Sequence, residues 1–198
     1  GVTTFLEAAG QYVEAIVEAV NNTGIRGCLA KSVMDCGEGL PDKWKKTVDE
    51  ELATQTELFK TFNNTCDGRV KIWLGLRTIF NNSDELILKT KQLADELNTG
   101  IHMHIAEICG EIDFVKSKTS YGTVERLDNL GVLGPNLLAV HAVWLTHRDV
   151  DLIRLNDVKV SHCPCSAMKV TLGFSPVPEM LSKGIPVSLG TDGAPSNN

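Results

Sequence analysis

The chain has 198 residues, of which 42% are hydrophobic and 22% are charged, and its formal net charge at pH 7 is −6. This composition is typical of a globular protein with a sizeable core, and the acidic balance argues against a nucleic-acid binder, which needs a basic face. Runs of about 18 apolar residues, which would predict a membrane span, do not occur, and six scattered cysteines without a secretory signal favour the reducing cytoplasm.

Seven short apolar or β-branched segments predict β-strands. Most of them lack alternation of polar and apolar residues, as expected of parallel strands that are covered on both faces. In chain order the predicted strands are residues 2–5, 25–30, 70–76, 101–106, 137–143, 158–163 and 185–192.

Longer amphipathic segments between the strands predict helices, at residues 11–20, 42–62, 83–100 and 174–184. Ser83 is expected to cap the third of these helices and Gly100 to end it. In the fourth, Ser175 followed by Pro176 predicts a cap and a proline in the first helical position. His147 is expected at the surface near the start of another helix.

The alternation of strands and helices predicts a parallel α/β fold. Seven strands fit either a doubly wound sheet or most of a (β/α)8 barrel. Neither of the usual glycine-rich nucleotide-phosphate motifs is present, and no repeat or linker divides the chain, so one domain is expected. The chain begins inside a strand, "GVTTF", and stops at "SNN", and we expect a fragment of a longer protein.

Residues that commonly bind metal ions, histidines and an aspartate, occur in the predicted strands. Four of the five histidines lie there, and the last strand ends at Asp192. A single histidine in an apolar run is more often a core residue, but several at successive strand ends would meet at one mouth of a barrel. Imidazoles, a carboxylate and an open position for water are what a catalytic zinc or iron site needs. The histidines are His102, His104, His141 and His162.

Several segments resemble successive motifs of the amidohydrolase superfamily: "HMHIAE", "LLAVHAVWL", "VSHCPCSAMKVTLGFSPVPEML" and "VSLGTDGAPSNN". The likeness is narrower to the branch of S-adenosylhomocysteine/methylthioadenosine deaminases, guanine deaminase and triazine hydrolases. Since "GVTTF" and "SVMDCGEGLP" resemble the same branch, it covers essentially the whole chain. The resemblance implies that residues 1–198 are a partial metal-dependent amidohydrolase domain, an incomplete (β/α)8 TIM-type barrel of seven βα units without its first strand.

The same resemblance implies a metal-dependent aminohydrolase, a deaminase of an amino-substituted N-heterocycle such as an adenosine derivative or a purine. The cofactor would be one divalent metal ion, with zinc as first choice and iron as the alternative. His104 and Asp192 match metal ligands, and Asp192 also takes a proton from the activated water. Glu107 matches the carboxyl group that protonates the ring nitrogen, His141 matches a hydrogen-bond partner of the attacking water, and Ser196 matches a substrate contact.

Two further residues are expected near the substrate. His162 is interpreted as lining the pocket or ordering water. Arg77 stands where many relatives carry a proline–histidine turn, and its planar donor fork could bind the substrate or pair with Asp84 or another surface acid; both interpretations stay open. Ala167 replaces an asparagine that is frequent in relatives, which leaves the substrate class open.

The first-strand H-x-H pair of the superfamily is missing. His102 and His104 have this spacing, but "GVTTF" normally follows the pair and here precedes it by about a hundred residues, so we interpret His102 as packed below the site. His104 and Asp192 alone are too few ligands for tight binding of a catalytic metal. We therefore expect an aminohydrolase when the protein is intact and an inactive fragment in this form.

Residue spacing disfavours several other kinds of catalytic site. The cytidine-deaminase type of zinc site fails, because its H-x-E and P-C-x-x-C spacings are absent. "CPC" at 163–165 is best interpreted as buried small residues, and G-x-S-x-G of serine hydrolases is absent. A triazine- or chlorohydrolase-type enzyme on the same site and an inactive barrel scaffold remain alternatives. A small-molecule substrate is the expected partner, without nucleic acid or membrane, and a homo-oligomer is left open.

Overall fold

The computed structural model describes residues 1–8, 10–41, 44 and 46–196. All seven predicted strands are present, although most are shorter than predicted. They are β1 (Thr4–Glu7), β2 (Arg26–Val33), β3 (Val70–Leu76), β4 (Ile101–Ile105), β5 (Leu137–His141), β6 (Lys159–His162) and β7 (Val187–Leu189).

Helices lie between the strands, and four of them correspond to the predicted amphipathic segments. The helices are α1 (Val13–Thr23), α2 (Val48–Phe62), α3 (Asp84–Leu97), α4 (Cys109–Lys118), α5 (Thr123–Asn129), α6 (His147–Leu155), α7 (Pro164–Lys169) and α8 (Val177–Ser182). The predicted second helix starts later than expected, after Thr47, whose side chain accepts a hydrogen bond from the amide of Glu50. Positions 42, 43 and 45 of that prediction lie outside the described residues. Among the described helices, none is both long and apolar enough to cross a membrane.

Contacts divide the chain into two compact units, Gly1–Arg77 with Asn81–His102, and Thr78–Phe80 with Met103–Asn198. The first unit contains β1, β2 and β3, which are neighbours in the sheet in this order, and the first two residues of β4. The second unit contains the remainder of β4 and then β5, β6 and β7, again in sheet order. The pairings of β1 with β2, β2 with β3, β5 with β6 and β6 with β7 are parallel, as predicted. The expectation of one domain stays a prediction.

The core of the first unit lies between α1 and the strands. Apolar side chains of the helix cluster with Leu29 of β2 and with Val70 and Ile72 of β3, which share a face because every second strand residue points to the same side. Each fully buried side chain of this size contributes about 1.5–3 kcal/mol to folding. The buried residues of this cluster are Val13, Val20, Leu29, Val70 and Ile72.

Two predicted helix starts are confirmed. Ser83 precedes α3, and its hydroxyl accepts a hydrogen bond from the amide of Leu86. Thr146 precedes α6 and does the same for the amide of Asp149, while the side chain of His147 is 92% exposed. Short polar side chains are favoured before a helix because they satisfy its first free amides.

Two predicted helix boundaries are wrong. Asn98, with φ 49°, supplies the left-handed residue that ends α3; Gly100 is required instead because a Cβ atom there would lie 2.4 Å from the Trp73 ring. Ser175 does not cap α8, whose preceding residue is Pro176. The Ser175 hydroxyl instead donates to the carbonyl of Ala142 at 2.7 Å.

Two strands that end at the second unit's candidate site, β4 and β5, are almost completely buried. Every residue of β4 is buried, and β5 is buried except at one position. Met103 and Ile105 are at most 1% exposed, and His104 lies between them. The strands therefore fix the polar side chains at their carboxyl ends rigidly.

Candidate active site

His104 and His141 form the buried floor of the candidate site. They lie on β4 and at the end of β5, and they are 6% and 1% exposed. Their rings stack, with centroids 5.3 Å apart and an interplanar angle of 29°. The structure thus brings together two of the histidines that the sequence assigned to the site.

The turns that follow these two strands have unusual backbone conformations. Ala106, His141 and Ala142 have φ values of 53°, 72° and 50°. Residues other than glycine rarely adopt this left-handed region. The turns are tied together, because the amide of Ala142 donates to Ile105 O at 3.1 Å and that of Val143 donates to Ala106 O at 3.0 Å. Such conformations concentrate at functional sites when the surrounding structure determines them.

Glu107 follows β4 and points to His141. Its Oε1 atom lies 3.6 Å from His141 Nε2, and the Glu107 side chain is 29% exposed whereas that of His141 is 2% exposed. This distance is longer than a hydrogen bond, so the pair is an ionic contact when the imidazole is protonated. A partly exposed carboxyl beside a buried imidazole can exchange a proton with a bound molecule.

Glu111 is a site residue that the sequence analysis missed. It is 1% exposed, and its two oxygens accept hydrogen bonds from the amides of Ala106 at 2.8 Å and Glu107 at 3.2 Å. Burial raises the pKa of its carboxyl to about 7, although the two backbone hydrogen bonds act in the opposite direction. Its place in the first turn of α4 is typical of a glutamate that bonds backbone amides, but this pattern does not identify the amides of the site as its partners.

Asp192 follows β7 in a left-handed conformation, with φ 58°. Its carboxylate accepts hydrogen bonds from the Ser166 hydroxyl at 2.7 Å and from the amide of Gly193 at 2.8 Å. Partial burial acts to raise the pKa of Asp192, but the net pKa is below the ordinary value because nearby groups stabilise the carboxylate. These groups are Ser166, Gly193, His141 and Ser196.

Ser166 is the second residue that sequence reasoning missed. It is 1% exposed and belongs to the short helix α7, and it lies 26 residues from Asp192 in the chain. The resemblance singled out Ser196 rather than Ser166 as the functional serine. The structure places the Ser196 hydroxyl on Asp192 as well, where its hydrogen bond lowers the pKa of the carboxyl.

The end of β6 lies next to these groups. The Nδ1 atom of His162 is buried and has no hydrogen-bond partner among the described residues. Burial raises the pKa of the neighbouring Cys163 thiol to about 11, and the negative charges of Asp192 and Glu107 act in the same direction. Both carboxylates are therefore within electrostatic reach of one thiol. The "CPC" interpretation as buried residues is correct for Cys163 and wrong for Cys165, which is exposed.

Arg77 is the predicted site residue that belongs to the first unit, whereas the other six belong to the second. It directly follows β3, and its amide donates to the carbonyl of Val33 at 3.4 Å. Its proposed contact with substrate and its alternative pairing with an acid both stay predictions.

The metal-ligand chemistry of the described residues is incomplete. His104 and Asp192 offer an imidazole and an anionic carboxylate, both suitable for zinc. Within the described part of the chain, no group of three or more His, Cys, Asp or Glu side chains is arranged to hold a metal ion. These described residues alone therefore do not form a catalytic metal centre.

The curated proteins that this chain resembles in sequence include deaminases of adenosine derivatives. The 5'-deoxyadenosine deaminase of Methanobrevibacter smithii is 38% identical over 198 residues, and the 5-methylthioadenosine/S-adenosylhomocysteine deaminase of Thermoanaerobacter pseudethanolicus is 33% identical over 198 residues. Each alignment covers 100% of this chain and 44% of the relative. The chain thus spans less than half the length of these curated relatives.

A solved structure extends the likeness to the fold. The adenosine deaminase of Xanthomonas campestris, determined with bound zinc, superposes with a TM-score of 0.89 at 25% identity, over 100% of this chain and 44% of that one. This match confirms the predicted α/β fold as an incomplete (β/α)8 barrel and rules out the doubly wound alternative. A sequence profile of the Amidohydrolase family matches residues 1–198. The chain therefore belongs to the amidohydrolase family.

Proposed function

We propose that this chain contributes part of the active site of a metal-dependent aminohydrolase that deaminates an amino-substituted N-heterocycle, such as an adenosine derivative or a purine. The observation that carries the proposal is the pairing of Glu107 with His141 at 3.6 Å, beside the stacked rings of His141 and His104. The names of the relatives, deaminases of 5'-deoxyadenosine and of methylthioadenosine or S-adenosylhomocysteine, support the substrate class.

In this proposal different side chains carry out the separate proton transfers of the reaction. Glu107, partly exposed, donates a proton to the ring nitrogen as water adds to the carbon that carries the amino group, and the amino group then leaves as ammonia with the proton that the water released. His141, buried behind it, hydrogen-bonds the attacking water. Asp192 is held as an anion by its hydrogen bonds from Ser166 and Gly193 and accepts the proton that the water releases.

One divalent metal ion would supply the activated water, because a bound cation lowers the pKa of water. Zinc is our first choice and iron the alternative; the zinc found with the Xanthomonas campestris deaminase supports the former. His104 and Asp192 would be two of the ligands. We propose that the first-strand H-x-H pair, in the part of the relatives' length that this chain does not span, supplies the others.

Ser196, His162 and Arg77 are our candidates for binding the small-molecule substrate. The unpartnered buried Nδ1 of His162 supports this role, because such an atom is costly unless a ligand or water bonds it. All six cysteines are free thiols, which supports our proposal of a cytoplasmic protein. A homo-oligomer is compatible with these assignments.

The test is product analysis with the full-length protein that contains this chain. The protein is first loaded with zinc. It is then incubated with 5'-deoxyadenosine, guanine or a chlorinated triazine in separate reactions, and the release of ammonia and of chloride is measured in each. We expect ammonia from the adenosine derivative or guanine. Chloride alone would favour the triazine-hydrolase alternative, and the absence of both products from a zinc-loaded, folded protein would favour the inactive scaffold.

A further inference from the structure

We propose that Glu111 is a positioning residue for Glu107: its buried carboxyl group fixes the backbone between β4 and α4 and thereby sets the reach of Glu107 toward His141. The inference rests on the proposed function, in which Glu107 transfers a proton to the substrate.

Both oxygens of Glu111 bond consecutive amides. Oε1 accepts from the amide of Ala106 at 2.8 Å, and Oε2 accepts from that of Glu107 at 3.2 Å. Glu111 is 1% exposed, so water does not compete for these bonds as it does at a surface. Without this acceptor, the buried amide of Ala106 would lose its partner at a site where an unpaired amide is strongly disfavoured.

The backbone held in this way has little freedom. Ala106 has φ 53°, which an alanine does not adopt without support from its surroundings. Its carbonyl accepts from the amides of Val143 and Trp144 at 3.0 and 2.9 Å. The residue before Glu107 is thus held through its N–H by Glu111 and through its C=O by the turn that follows His141.

Ordinary helix capping does not explain this contact. In α2 and α5, the glutamate in the third helical position bonds the amide of the residue preceding the helix: Glu50 bonds Thr47 at 2.8 Å, and Glu125 bonds Gly122 at 3.2 Å. Glu111 occupies the same position in α4, where Ile108 precedes the helix. It bonds instead the two amides before Ile108, which belong to the site.

The experiment compares the full-length, zinc-loaded protein with Glu111→Gln, Glu107→Gln and the double variant. The matched control is Glu50→Gln, which alters a glutamate at the same helix position in α2 of the first unit. An amide side chain of the same size keeps one acceptor oxygen and loses the other. We expect Glu111→Gln to lower kcat by about tenfold to a hundredfold with KM changed by less than about threefold, since general acid catalysis contributes about 10²–10⁴.

The double variant separates positioning from general stability. If Glu111 acts through Glu107, Glu111→Gln causes no further loss in the Glu107→Gln background, since coupled residues are non-additive. An equal loss in both backgrounds, or wild-type kcat in Glu111→Gln, would overturn the inference. If Glu111→Gln does not fold, Glu111→Asp replaces it: the shorter acid cannot reach both amides, and wild-type kcat in that variant would also overturn it.

A second readout keeps the inference apart from the proposed function. Amide hydrogen exchange at Ala106 and Glu107 should be faster in Glu111→Gln than in the wild type and unchanged in Glu50→Gln. An inactive wild-type protein would refute the proposed function while this exchange result still decided the positioning role. Unchanged exchange at both amides in Glu111→Gln would refute the positioning role by itself.

Discussion

The Ser166 hydroxyl donates a 2.7 Å hydrogen bond to Asp192 Oδ2 and joins α7 to the segment that follows β7. Ser166 is almost completely buried, whereas Asp192 is exposed. One oxygen of the carboxylate is thereby oriented from inside the protein, and the amide of Gly193 orients the other. Asp192 is therefore held as an oriented anion, as a metal ligand or proton acceptor must be.

Replacing Ser166 by alanine tests this orientation. We expect weaker zinc binding by the full-length protein, by about tenfold, because outer-shell hydrogen bonds to ligands contribute about 10–100-fold in affinity. The thermal midpoint should fall only slightly, since one hydrogen bond contributes about 1 kcal/mol. Zinc titration and thermal unfolding measure both quantities. Ser182→Ala, which changes an exposed serine on α8, is the control, and equal zinc affinity in the two variants would contradict the account.

Replacing Glu107 by glutamine tests the proton donor. Glutamine keeps the size of the side chain and removes its proton, so kcat should fall by about 10²–10⁴-fold. Because the carboxyl is partly exposed, the free energy of unfolding should change by less than about 0.5 kcal/mol. Steady-state kinetics and denaturant unfolding measure the two effects. A variant with near-normal kcat would exclude Glu107 from proton transfer.

The buried carboxyl of Glu111 predicts a pH dependence of stability. Its pKa is raised from 4.5 to about 7 in the folded protein, so between these values the folded state holds a proton that the unfolded state has lost. Its contribution is complete below about pH 4.5 and is lost as the pH rises through 7; the loss is on the order of 3 kcal/mol.

Unfolding measured from pH 4.5 to 8 in the wild type and in Glu111→Gln checks this sign. The wild-type free energy of unfolding should decrease with rising pH more steeply than that of the variant, whose side chain does not titrate. Parallel curves over this range would show that the Glu111 pKa is not raised.

Replacement by alanine should have opposite effects on thermal stability at Gly75 and at Gly110. A Cβ atom at Gly75 would lie 2.3 Å from the carbonyl oxygen of Lys31, so Gly75→Ala requires a shift of the neighbouring strand and should lower the thermal midpoint by several degrees, or ~2 kcal/mol. At Gly110, within α4, the nearest atom would lie 3.9 Å away. Gly110→Ala should therefore stabilise the protein by up to about 0.5 kcal/mol, since Gly110 lies in the first turn of α4 rather than in its interior. Equal effects of the two changes on thermal unfolding would contradict the packing described here.

The strands and the strand-end residues were predictable because their signal is local. Apolar runs such as the one around His104 have few alternatives to a buried strand, and strand-end histidines and acids stand out against them. Helix ends were harder to predict, since Asn98 and Gly100 both suit a helix end. Packing against Trp73 decided the role of Gly100.

The supporting residues could not be predicted from local pattern. Ser166 bonds a residue 26 positions away, and nothing near it in the chain signals this partner. Glu111 has the sequence pattern of an ordinary capping glutamate, and only the left-handed turn at Ala106 directs it to the site. Distant contacts and unusual backbone angles are properties of the fold, so the residues that orient the reacting groups emerged only from the structure.

The most direct test of the central claim is the position of zinc in a crystal of the full-length protein, located by anomalous scattering at the zinc absorption edge. We expect one peak within bonding distance of both His104 and Asp192, about 2.0–2.2 Å from the ligand atoms, with Glu107 and His141 facing it. A zinc peak elsewhere in a fully loaded protein, with His104 and Asp192 far apart, would contradict this claim.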